Sequence, residues 1–395
     1  MEGKPDWLPG FPVQIYCNRR DLVTERERQI IELLRENPML PQAEIAQRLG
    51  ITRSSVGVHL ANLSKKGYIL GKGYVLAEAG ERYVVGIGAA NIDLMGRSRE
   101  KLVMEDSNPG YISMSVGGVT HNICENAARM GAPAKLITVI GDDIYGQKIR
   151  QECETAGIDT SGFMVAEGQT SSTYLSLHDA DGEMALALSD MRVLQLLSIE
   201  FLKSRHRLLA GASVIVMDAG LPEEILKYVA ATYGETVPVF VDPVSTSYAR
   251  KLIGGLAGCH TFKPNRIETE IIAGMKVDSP AALRTACEKL IKQGLTRIMV
   301  SMGKDGCFYL DRTGRAMQVK GEPVRQVVNA TGAGDAFVGG LVYAQLQGLS
   351  PEETMLFSTA AARMAIAHQN TINPNISAQN VWDTVQRDRL VVENG

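Results

Sequence analysis

Apolar and polar residues alternate in two different ways along this chain. Between Thr24 and Leu76 apolar residues recur at helical spacing in three short segments, followed by two apolar runs around a glycine-rich turn. Between Tyr83 and Arg389 short apolar strands alternate with helical segments, which is typical of a mostly parallel sheet with helices on both faces. Residues 1–22 show no clear period. The pattern predicts a leader over 1–22, a small domain over 23–78 and an α/β domain over 82–390.

The small domain reads as a winged helix-turn-helix. Pro41 opens its second helix and Gly50 closes it, Thr52 caps the third, and Gly71-Lys72-Gly73 makes a tight hairpin turn. The apolar residues of the third helix should face the core, so its polar residues point outward, where a DNA major groove would lie. A winged helix used for dimerisation or effector contacts is the alternative. The candidate DNA-binding residues are Arg53, Ser54, Ser55, His59 and Asn62 on the third helix and Lys72 on the wing.

One part of the α/β domain departs from the strand–helix alternation. Ser172–Leu177 and Met184–Leu188 flank a polar turn and read as a β-hairpin. A hairpin beside the ligand edge of a sheet can close over a site as a lid. We expect lid strands around 107–116 and 171–188.

The segment Asn329–Phe337 carries the most informative chemistry. Small residues lead into an apolar helix, and the N–H groups and dipole at such a helix start bind an anion. Asp335 stands where a carboxylate could take the proton of a substrate hydroxyl. A carboxylate that only stabilises the helix start is the alternative. The catalytic candidates are Asp335 as the base and Gly332, Ala333 and Gly334, whose N–H groups would face the developing charge.

Two further segments carry residues suited to a sugar. A pair of glycines precedes a helix that contains Asn122, whose amide offers donors and an acceptor. Asn91 and Asp93 come just past the first strand, where parallel sheets bind ligands. On its own, each pattern fits a structural turn or a helix cap equally well. The substrate-binding candidates are Asn91, Asp93, Gly117, Gly118, Thr120, His121 and Asn122, together with Asp335.

A metal and nucleotide phosphates have candidates of their own. Asn265 and Glu268 are three residues apart on one helix face and can hold a hydrated Mg²⁺, with Asp242 supporting the same ion. The glycine-bracketed turn Ser301–Gly306 can lie along nucleotide phosphates. A helix cap and a plain hairpin turn are the respective alternatives. The cofactor-binding candidates are Lys263, Asn265, Ser301, Gly303, Gly306, Thr331, Gly332 and Gly334, and the metal candidates are Asn265 and Glu268.

These five arrangements, in this order, resemble the ribokinase-like (PfkB) carbohydrate kinase family over about residues 82–390. The resemblance is most specific at Gly117–Gly131 and Asn329–Gly340. It implies a ribokinase-like α/β fold with a small β lid, ATP and Mg²⁺, Asp335 as the catalytic base and Thr331 to Gly334 as the anion hole. Within the family, segments such as Ala90–Asp93 look like the pseudouridine kinases, which phosphorylate the ribose 5′-hydroxyl of a C-nucleoside.

Three positions depart from the family's patterns. Val119 stands where ribokinases usually have lysine, which argues against free ribose as the best substrate. Asn329 replaces an aspartate that helps many relatives hold a monovalent cation, so a requirement for K⁺ stays open. Thr120-His121 replaces the Gly-Arg pair of pseudouridine kinases, which leaves the nucleobase open.

Bulk properties favour a cytoplasmic protein without a membrane partner. The net charge of −3 over 395 residues gives no global reason to expect nucleic-acid or membrane binding, although Thr24–Leu76 carries eight Lys/Arg against five Asp/Glu. The six cysteines form no CxxC pair, which favours a reduced protein without a zinc site. No apolar run reaches membrane-spanning length, and the N-terminus lacks the apolar region of a signal peptide.

Two functions from different classes follow from the sequence. The first is an ATP- and Mg²⁺-dependent kinase for a ribonucleoside, with pseudouridine preferred and inosine, guanosine, cytidine or a sugar as alternatives. The second is a transcription regulator that binds operator DNA and uses the kinase fold to sense a nucleoside. A homodimer is expected, because winged-helix regulators often dimerise and the lid hairpin can pair between subunits.

Overall fold

The computed structural model divides into two compact units, Met1–Ala79 and Gly80–Gly395. The predicted leader over 1–22 lies outside the described residues, and so do the turn and second strand of the predicted wing, with Lys72. The described residues are 23–37, 39–66, 68–69, 82–324 and 327–394.

The N-terminal unit contains the helices α1 Glu25–Glu36, α2 Gln42–Leu49 and α3 Arg53–Lys65. Thr24 begins α1 with a capping box, in which its hydroxyl accepts from Glu27 N–H and the Glu27 carboxylate accepts from Thr24 N–H at 2.8 Å. The inner faces of the three helices meet in one buried cluster, and the predicted core face of α3 is confirmed. This cluster includes Ile30, Leu34, Ile45, Val56, Leu60 and Leu63.

The C-terminal unit alternates strands with helices, as the sequence pattern predicts. Its helices are α4 Val119–Arg129, α5 Ile144–Thr155, α6 Ile199–Ser204, α7 His206–Gly211, α8 Glu223–Tyr233, α9 Thr246–Ala249, α10 Arg266–Ala273, α11 Pro280–Ile291, α12 Ala333–Gln347, α13 Pro351–Ile366 and α14 Ala378–Arg387. Its strands are β1 Val84–Ile87, β2 Asn91–Ser98, β3 Gly110–Gly117, β4 Ala134–Ile137, β5 Val139–Gly141, β6 Ile158–Asp159, β7 Met164–Ala166, β8 Thr173–His178, β9 Met184–Asp190, β10 Val214–Asp218, β11 Val239–Asp242, β12 Thr261–Phe262, β13 Arg297–Ser301, β14 Cys307–Asp311, β15 Ala316–Lys320 and β16 Val391–Asn394. Among the described helices, none combines the length and the apolar character that crossing a bilayer requires.

The large sheet places the ligand edge at the carboxyl end of β1. Within the described residues its ten strands run β16-β15-β14-β13-β12-β11-β10-β1-β4-β6. The seven neighbouring strands β13, β12, β11, β10, β1, β4 and β6 are parallel to one another. At the other edge of the sheet, β14, β15 and β16 each pair with the preceding strand in antiparallel fashion. The chain leaves β1 for β4 on one side and later reaches β10 on the other, which is the topological switch where such sheets bind ligands. The predicted mostly parallel sheet is confirmed.

A second sheet forms the lid, with four strands in the order β3-β2-β8-β9. The chain enters and leaves this sheet along one row, in which Asn91 pairs with Gly117, and Thr173 pairs with both Ile92 and Asp190. Asn91 and Asp93 follow β1 as predicted, and they form the first part of lid strand β2. Pairing with β3 and β8 extends this segment, and neither partner is close to it in sequence.

The two faces of the lid differ in character, because successive side chains of a strand point to opposite sides. Asp93 shares one face with its register partners Ser115 and Tyr174. The opposite face is apolar: Ile92, at its base, is buried against the cluster that includes Ile149 of α5, whereas Ile112 is 82% exposed. The apolar residues of this face are Ile92, Leu94, Ile112, Met114, Val116, Leu175, Leu177, Leu186 and Leu188.

Candidate active site

The start of α12 presents backbone N–H groups beside Asp335. Gly332 precedes the helix with a left-handed φ of +82°, and a β-carbon built there would overlap the carbonyl oxygen of Thr371. Both observations restrict this position to glycine. The helical hydrogen bonds begin with Ala336 N–H to Gly332 O, at 2.9 Å, so the preceding N–H groups have no partner within the helix. This helix start can therefore hold an anion.

Asp335 combines a raised pKa with contacts that fix its carboxylate. Burial raises its pKa to about 7, and the nearby charge of Asp242 acts in the same direction. The hydrogen bond from Asn122 Nδ2, at 2.7 Å, and the positive charge of Lys263 oppose this shift. A carboxylate whose pKa lies near 7 can accept and release a proton at neutral pH.

Asn122 reaches Asp335 because of how α4 begins. Gly118 caps α4 with a φ of +103°, and a β-carbon there would lie 2.5 Å from the carbonyl oxygen of Ala89. One turn into the helix, the side-chain oxygen of Asn122 lies 3.1 Å from His121 Nδ1. An amide oxygen only accepts, so this contact requires the Nδ1–H tautomer of the imidazole. The histidine thus orients the amide, and the amide holds Asp335.

Lys263 brings a positive charge to the anion site. Its Nζ lies 3.8 Å from Asp242 Oδ2, and both side chains are less than 10% exposed. A β-carbon built on Gly334 would lie only 2.9 Å from the same Nζ, so the ammonium group is beside the helix start. The predicted anion-binding residues Gly334 and Lys263 are therefore neighbours in the structure.

Asn91 and Asp93 meet at the base of the lid. The Asn91 amide donates to Asp93 Oδ1 at 2.6 Å. A β-carbon on Gly117 would overlap the Asp93 carboxylate, so this glycine makes room for it. Burial raises the pKa of Asp93, and the hydrogen bond from Asn91 opposes that change. Since Gly117 and Gly118 lead directly into α4, the two polar groups predicted to bind a sugar lie on adjoining segments.

The side chains of Thr120 and His121 point away from the solvent. Both are less than 2% exposed, and the Thr120 hydroxyl donates to Asp218 at 2.6 Å. His121 Nε2 lies 3.5 Å from Glu125 Oε2, and burial lowers the pKa of the imidazole. Direct contact of these two side chains with a substrate stays a prediction, and their burial does not favour it.

Asn265 and Glu268 form the capping box of α10. Asn265 Oδ1 accepts from Glu268 N–H at 2.9 Å, and Glu268 Oε2 accepts from Asn265 N–H at 2.8 Å. Burial raises the pKa of Glu268, as does the charge of the neighbouring Asp242 carboxylate. Two adjoining carboxylates are the hard oxygen ligands that Mg²⁺ takes, so the donor set suits a hydrated Mg²⁺ that also contacts phosphates. The cap and the metal pair are thus compatible.

The turn predicted to contact nucleotide phosphates adjoins α10. Ser301 forms a β-bridge with Asn265, and its N–H donates to Pro264 O at 3.0 Å. Gly303 and Gly306 have φ values of +60° and +86°, and a β-carbon on Gly306 would overlap the Val319 carbonyl oxygen. The turn joins the antiparallel strands β13 and β14, so the structure shows the plain hairpin geometry at the predicted place.

Asn329 makes contacts that a carboxylate could not make. Its side-chain Nδ2 donates to the carbonyl oxygen of Gln369 at 3.0 Å, and its Oδ1 accepts from Thr331 N–H at 2.9 Å. An ionised carboxylate only accepts, whereas the amide offers both a donor and an acceptor. The amide therefore ties the segment before α12 to the one around Gln369.

Sequence reasoning missed Asp218, the last residue of β10. It accepts from Ala89 N–H and Gly220 N–H, each at 2.8 Å, and is fully buried. The sequence does show an apolar strand that ends in an aspartate at Asp218. The same pattern at Asp242 led to its prediction as a support for the metal ion.

The candidate DNA-binding residues lie on the outer side of α3. Arg53, Ser54 and Asn62 are exposed, while Ser55 and His59 are half-buried. The Ser55 hydroxyl lies 2.9 Å from the Thr52 hydroxyl at the helix cap.

Comparison with known proteins gives matches for both units. The model of the pfkB family of carbohydrate kinases matches residues 81–378, and a model of winged helix-turn-helix DNA-binding domains matches residues 24–69. The chain is 37% identical to the uncharacterized sugar kinase YeiI of Escherichia coli, over 92% of this chain and 99% of that protein. It is also 37% identical to the pseudouridine kinase of Escherichia coli, over 77% of this chain and 96% of that protein. Arabidopsis thaliana ribokinase, solved with ribose and ATP, shares the fold with a TM-score of 0.69 at 21% identity, covering 78% of this chain and 99% of that one.

Proposed function

Because the chain belongs to the pfkB family of carbohydrate kinases, we propose that it transfers the γ-phosphoryl group of ATP to the 5′-hydroxyl of a ribonucleoside, with pseudouridine as the preferred acceptor. The observation that carries this proposal is Asp335, whose pKa burial raises to about 7 at a helix start suited to an anion. The likeness to a pseudouridine kinase supports the choice of acceptor. The reaction forms a bond from the hydroxyl oxygen to phosphorus and releases ADP.

Asp335 is the base in this proposal. Its carboxylate would accept the proton of the 5′-hydroxyl as the oxygen attacks phosphorus, and Asn122 would keep it aimed by the 2.7 Å hydrogen bond. Positioning of the two reactants provides most of the acceleration in phosphoryl transfer, and proton removal adds a further factor.

The start of α12 and Lys263 would hold the transferred phosphoryl group. The N–H groups of Ala333 and Gly334 and the ammonium of Lys263 converge beside Asp335. Fixed donors placed around developing charge stabilise the transition state without reorganisation. Thr331 and the turn Ser301–Gly306 would contact the rest of the nucleotide.

A hydrated Mg²⁺ would be held near Glu268, Asn265 and Asp242, whose oxygens suit it. The chemistry it would supply is positive charge that offsets the charge of the nucleotide phosphates. Glu268 and Asp242 would hold the ion, and the capping box would fix the direction of the Asn265 and Glu268 side chains.

The ribose would lie between the base of the lid and α4. Asp93, oriented by Asn91, would accept from the ribose hydroxyls, while Asn122 and Asp335 would face the 5′-end. Lid residues on the Asp93 face, such as Tyr174, would then face the nucleobase. His121 is buried and hydrogen-bonded to Asn122, so it would influence the nucleobase only through the Asn122 amide.

A screen of acceptors tests the proposed function. ATP consumption is measured with pseudouridine, cytidine, inosine, guanosine and ribose, and each product is identified by mass. We expect pseudouridine to give the highest kcat/KM and a 5′-monophosphate product. If no acceptor raises ATP consumption above background hydrolysis, the proposed kinase function is wrong. If a sugar or a purine nucleoside is phosphorylated faster than pseudouridine, that compound is the preferred acceptor instead.

The Asn329 contacts predict turnover that does not depend on K⁺. Because the amide donates to Gln369 O, it supplies the positive end that a cation would otherwise supply there. We expect kcat in K⁺ and in choline to agree within about twofold, a difference of under 0.5 kcal/mol. Asn329→Asp places a carboxylate against the carbonyl and should make turnover depend on K⁺. Equal K⁺ dependence of both proteins would contradict this reading.

A second function, binding of operator DNA, is favoured by the outward polar face of α3. We expect Arg53→Ala and Asn62→Ala each to weaken DNA binding, and Arg53→Ala to lower the salt dependence by about one unit if the guanidinium contacts phosphate. Arg28→Ala is the matched control, since Arg28 pairs with Glu25 on the surface of α1.

Deletion of residues 1–80 separates the two functions. Turnover that survives deletion, together with salt-dependent DNA binding of the full chain, would support a kinase joined to a DNA-binding unit. Unchanged turnover and no binding to any DNA at low salt would remove the regulatory function.

The predicted homodimer stays a proposal. The exposed apolar face of the lid supports it, because a large contiguous exposed apolar surface often marks an interaction site. The face includes Ile112, Met114, Leu186 and Leu188, each at least half exposed.

A further inference from the structure

The carboxylate of Asp218 joins three segments near the proposed active site, namely those of Ala89 and Thr120 and the end of its own strand, β10. Its Oδ2 accepts from Ala89 N–H at 2.8 Å and from the Thr120 hydroxyl at 2.6 Å. Its Oδ1 accepts from Gly220 N–H at 2.8 Å. All three partners are donors, so the contacts favour the ionised carboxylate, whereas burial and the charge of Asp242 raise its pKa.

Burying an ionised carboxylate that forms no ion pair is costly. Asp218 has no exposed surface, and no lysine or arginine among the described residues forms an ion pair with it. Its charge is stabilised by the three hydrogen bonds, with an electrostatic contribution from Lys251, and the bonds from Ala89 and Thr120 come from segments distant in sequence.

Two of the three segments lead directly to groups of the proposed ribose site. Ala89 is two residues before Asn91 and four before Asp93, at the base of the lid. Thr120 is two residues before Asn122, which holds Asp335. A β-carbon on Gly88 would overlap both the Asp218 carboxylate and the Thr120 hydroxyl, so the segments are packed closely around it.

We propose that Asp218 is a positioning residue that sets the distance between the ribose groups at the base of the lid and the start of α4. This inference rests on the proposed function, since it assigns the positioned groups to an acceptor. Asp218 touches no reacting atom. It acts through Ala89 and Thr120, because displacing either would move Asp93 relative to Asn122. Its charge also contributes to the raised pKa of Asp335, which Asp218→Asn changes and Thr120→Val leaves in place.

Three substitutions test the proposal. Asp218→Asn replaces one oxygen by an NH₂ group, which would face Ala89 N–H in one orientation and Gly220 N–H in the other. Thr120→Val removes one donor and keeps the shape, so it serves where Asp218→Asn fails to fold. Thr138→Val is the matched control, because Thr138 is equally buried and its hydroxyl has no hydrogen-bond partner among the described residues.

Steady-state kinetics give the first readout. For Thr120→Val we expect the acceptor KM to rise roughly 10-fold, as for loss of a hydrogen bond to a buried charge. For Asp218→Asn we expect acceptor kcat/KM to fall about 100-fold, as for a small misplacement of reacting groups. The KM for ATP should stay within about twofold in both, because only the acceptor side moves. Thr120→Ser, which keeps the hydroxyl, should lie closer to the wild type than Thr120→Val. Equal changes in the two KM values would overturn the proposal.

Amide hydrogen exchange gives a readout that does not need turnover. In Thr120→Val and Asp218→Asn, exchange should accelerate about 10-fold over 88–93 and 118–124, while 333–347 and the Thr138→Val control stay unchanged. Unchanged exchange in both segments, or faster exchange throughout the C-terminal unit, would overturn the proposal. If the wild type phosphorylates no acceptor, the proposed function fails while this measurement still decides the role of Asp218.

Discussion

Replacing Asp335 by asparagine is expected to lower kcat at least about 100-fold at saturating ATP and acceptor, the usual contribution of a general base. The amide keeps the size of the side chain but cannot accept the proton of the hydroxyl. Binding should change less than turnover, because the N–H groups at the start of α12 remain in place. The measurement is kcat and both KM values by coupled detection of ADP.

The pH dependence of the wild type tests the same assignment. Since burial raises the pKa of Asp335 to about 7, the base is protonated in acid and kcat/KM should rise through about pH 7 to a plateau. Stability should change in the opposite direction. The folded chain holds this proton more tightly than the unfolded chain, so the stabilising contribution is complete below pH 4 and is lost as the pH rises through about 7.

A matched carboxylate controls for the loss of charge. Asp383 lies exposed on α14 and accepts from Gln379, so Asp383→Asn should leave kcat unchanged. At pH 8 Asp335→Asn should be at least as stable to heat as the wild type, because it removes a buried charge. Near-normal turnover of folded Asp335→Asn would show that another group takes the proton.

Gly332→Ala should lower kcat/KM for ATP at least about 100-fold, because small misplacements of reacting groups reduce the rate by this much. The new methyl group would overlap the Thr371 carbonyl oxygen, so the start of α12 must move. The N–H groups proposed to surround the phosphoryl group move with it. The measurement is kcat/KM for ATP at saturating acceptor.

Gly157→Ala is the control that shows the effect of a positive φ alone, without the steric overlap that a β-carbon causes at Gly332. Gly157 has a φ of +80°, close to the +82° of Gly332, but a β-carbon there meets nothing within 4 Å. It should lose about 1 kcal/mol of stability and keep its turnover. If the two variants lost activity equally, the anion site would not depend on the geometry of the helix start.

Local patterns were enough to predict the start of α12 and the caps of the helices. Gly332 and Asp335 are three residues apart, so the sequence alone shows that the glycine and the carboxylate share one helix start. Asn265 and Glu268 show the limit of such reasoning. An Asn and a Glu three residues apart make both a capping box and a metal pair, and the spacing does not distinguish the two.

Long-range pairing accounts for what the sequence did not predict. Thr120 looked like a ligand residue at a helix start, but its hydroxyl bonds Asp218, which is 98 residues away. The strand character of Asn91 and Asp93 likewise depends on β3 and β8. A helix or strand period says which residues share a face, but it does not say which distant segment that face meets.

The row in which the lid strands begin and end acts as an axis for any rotation of the lid. Asn91 pairs with Gly117, and Thr173 pairs with Ile92 and Asp190, so the connections of the lid strands to the rest of the unit all cross the sheet near one line. A rigid sheet held along a line can only tilt about it, and displacement then grows with distance along the strands. Asn91 and Asp93 would barely move, whereas the far ends of β2 and β3, about 25 Å away, would sweep the longest arc. The residues proposed to bind the ribose therefore lie on the axis about which the lid would tilt.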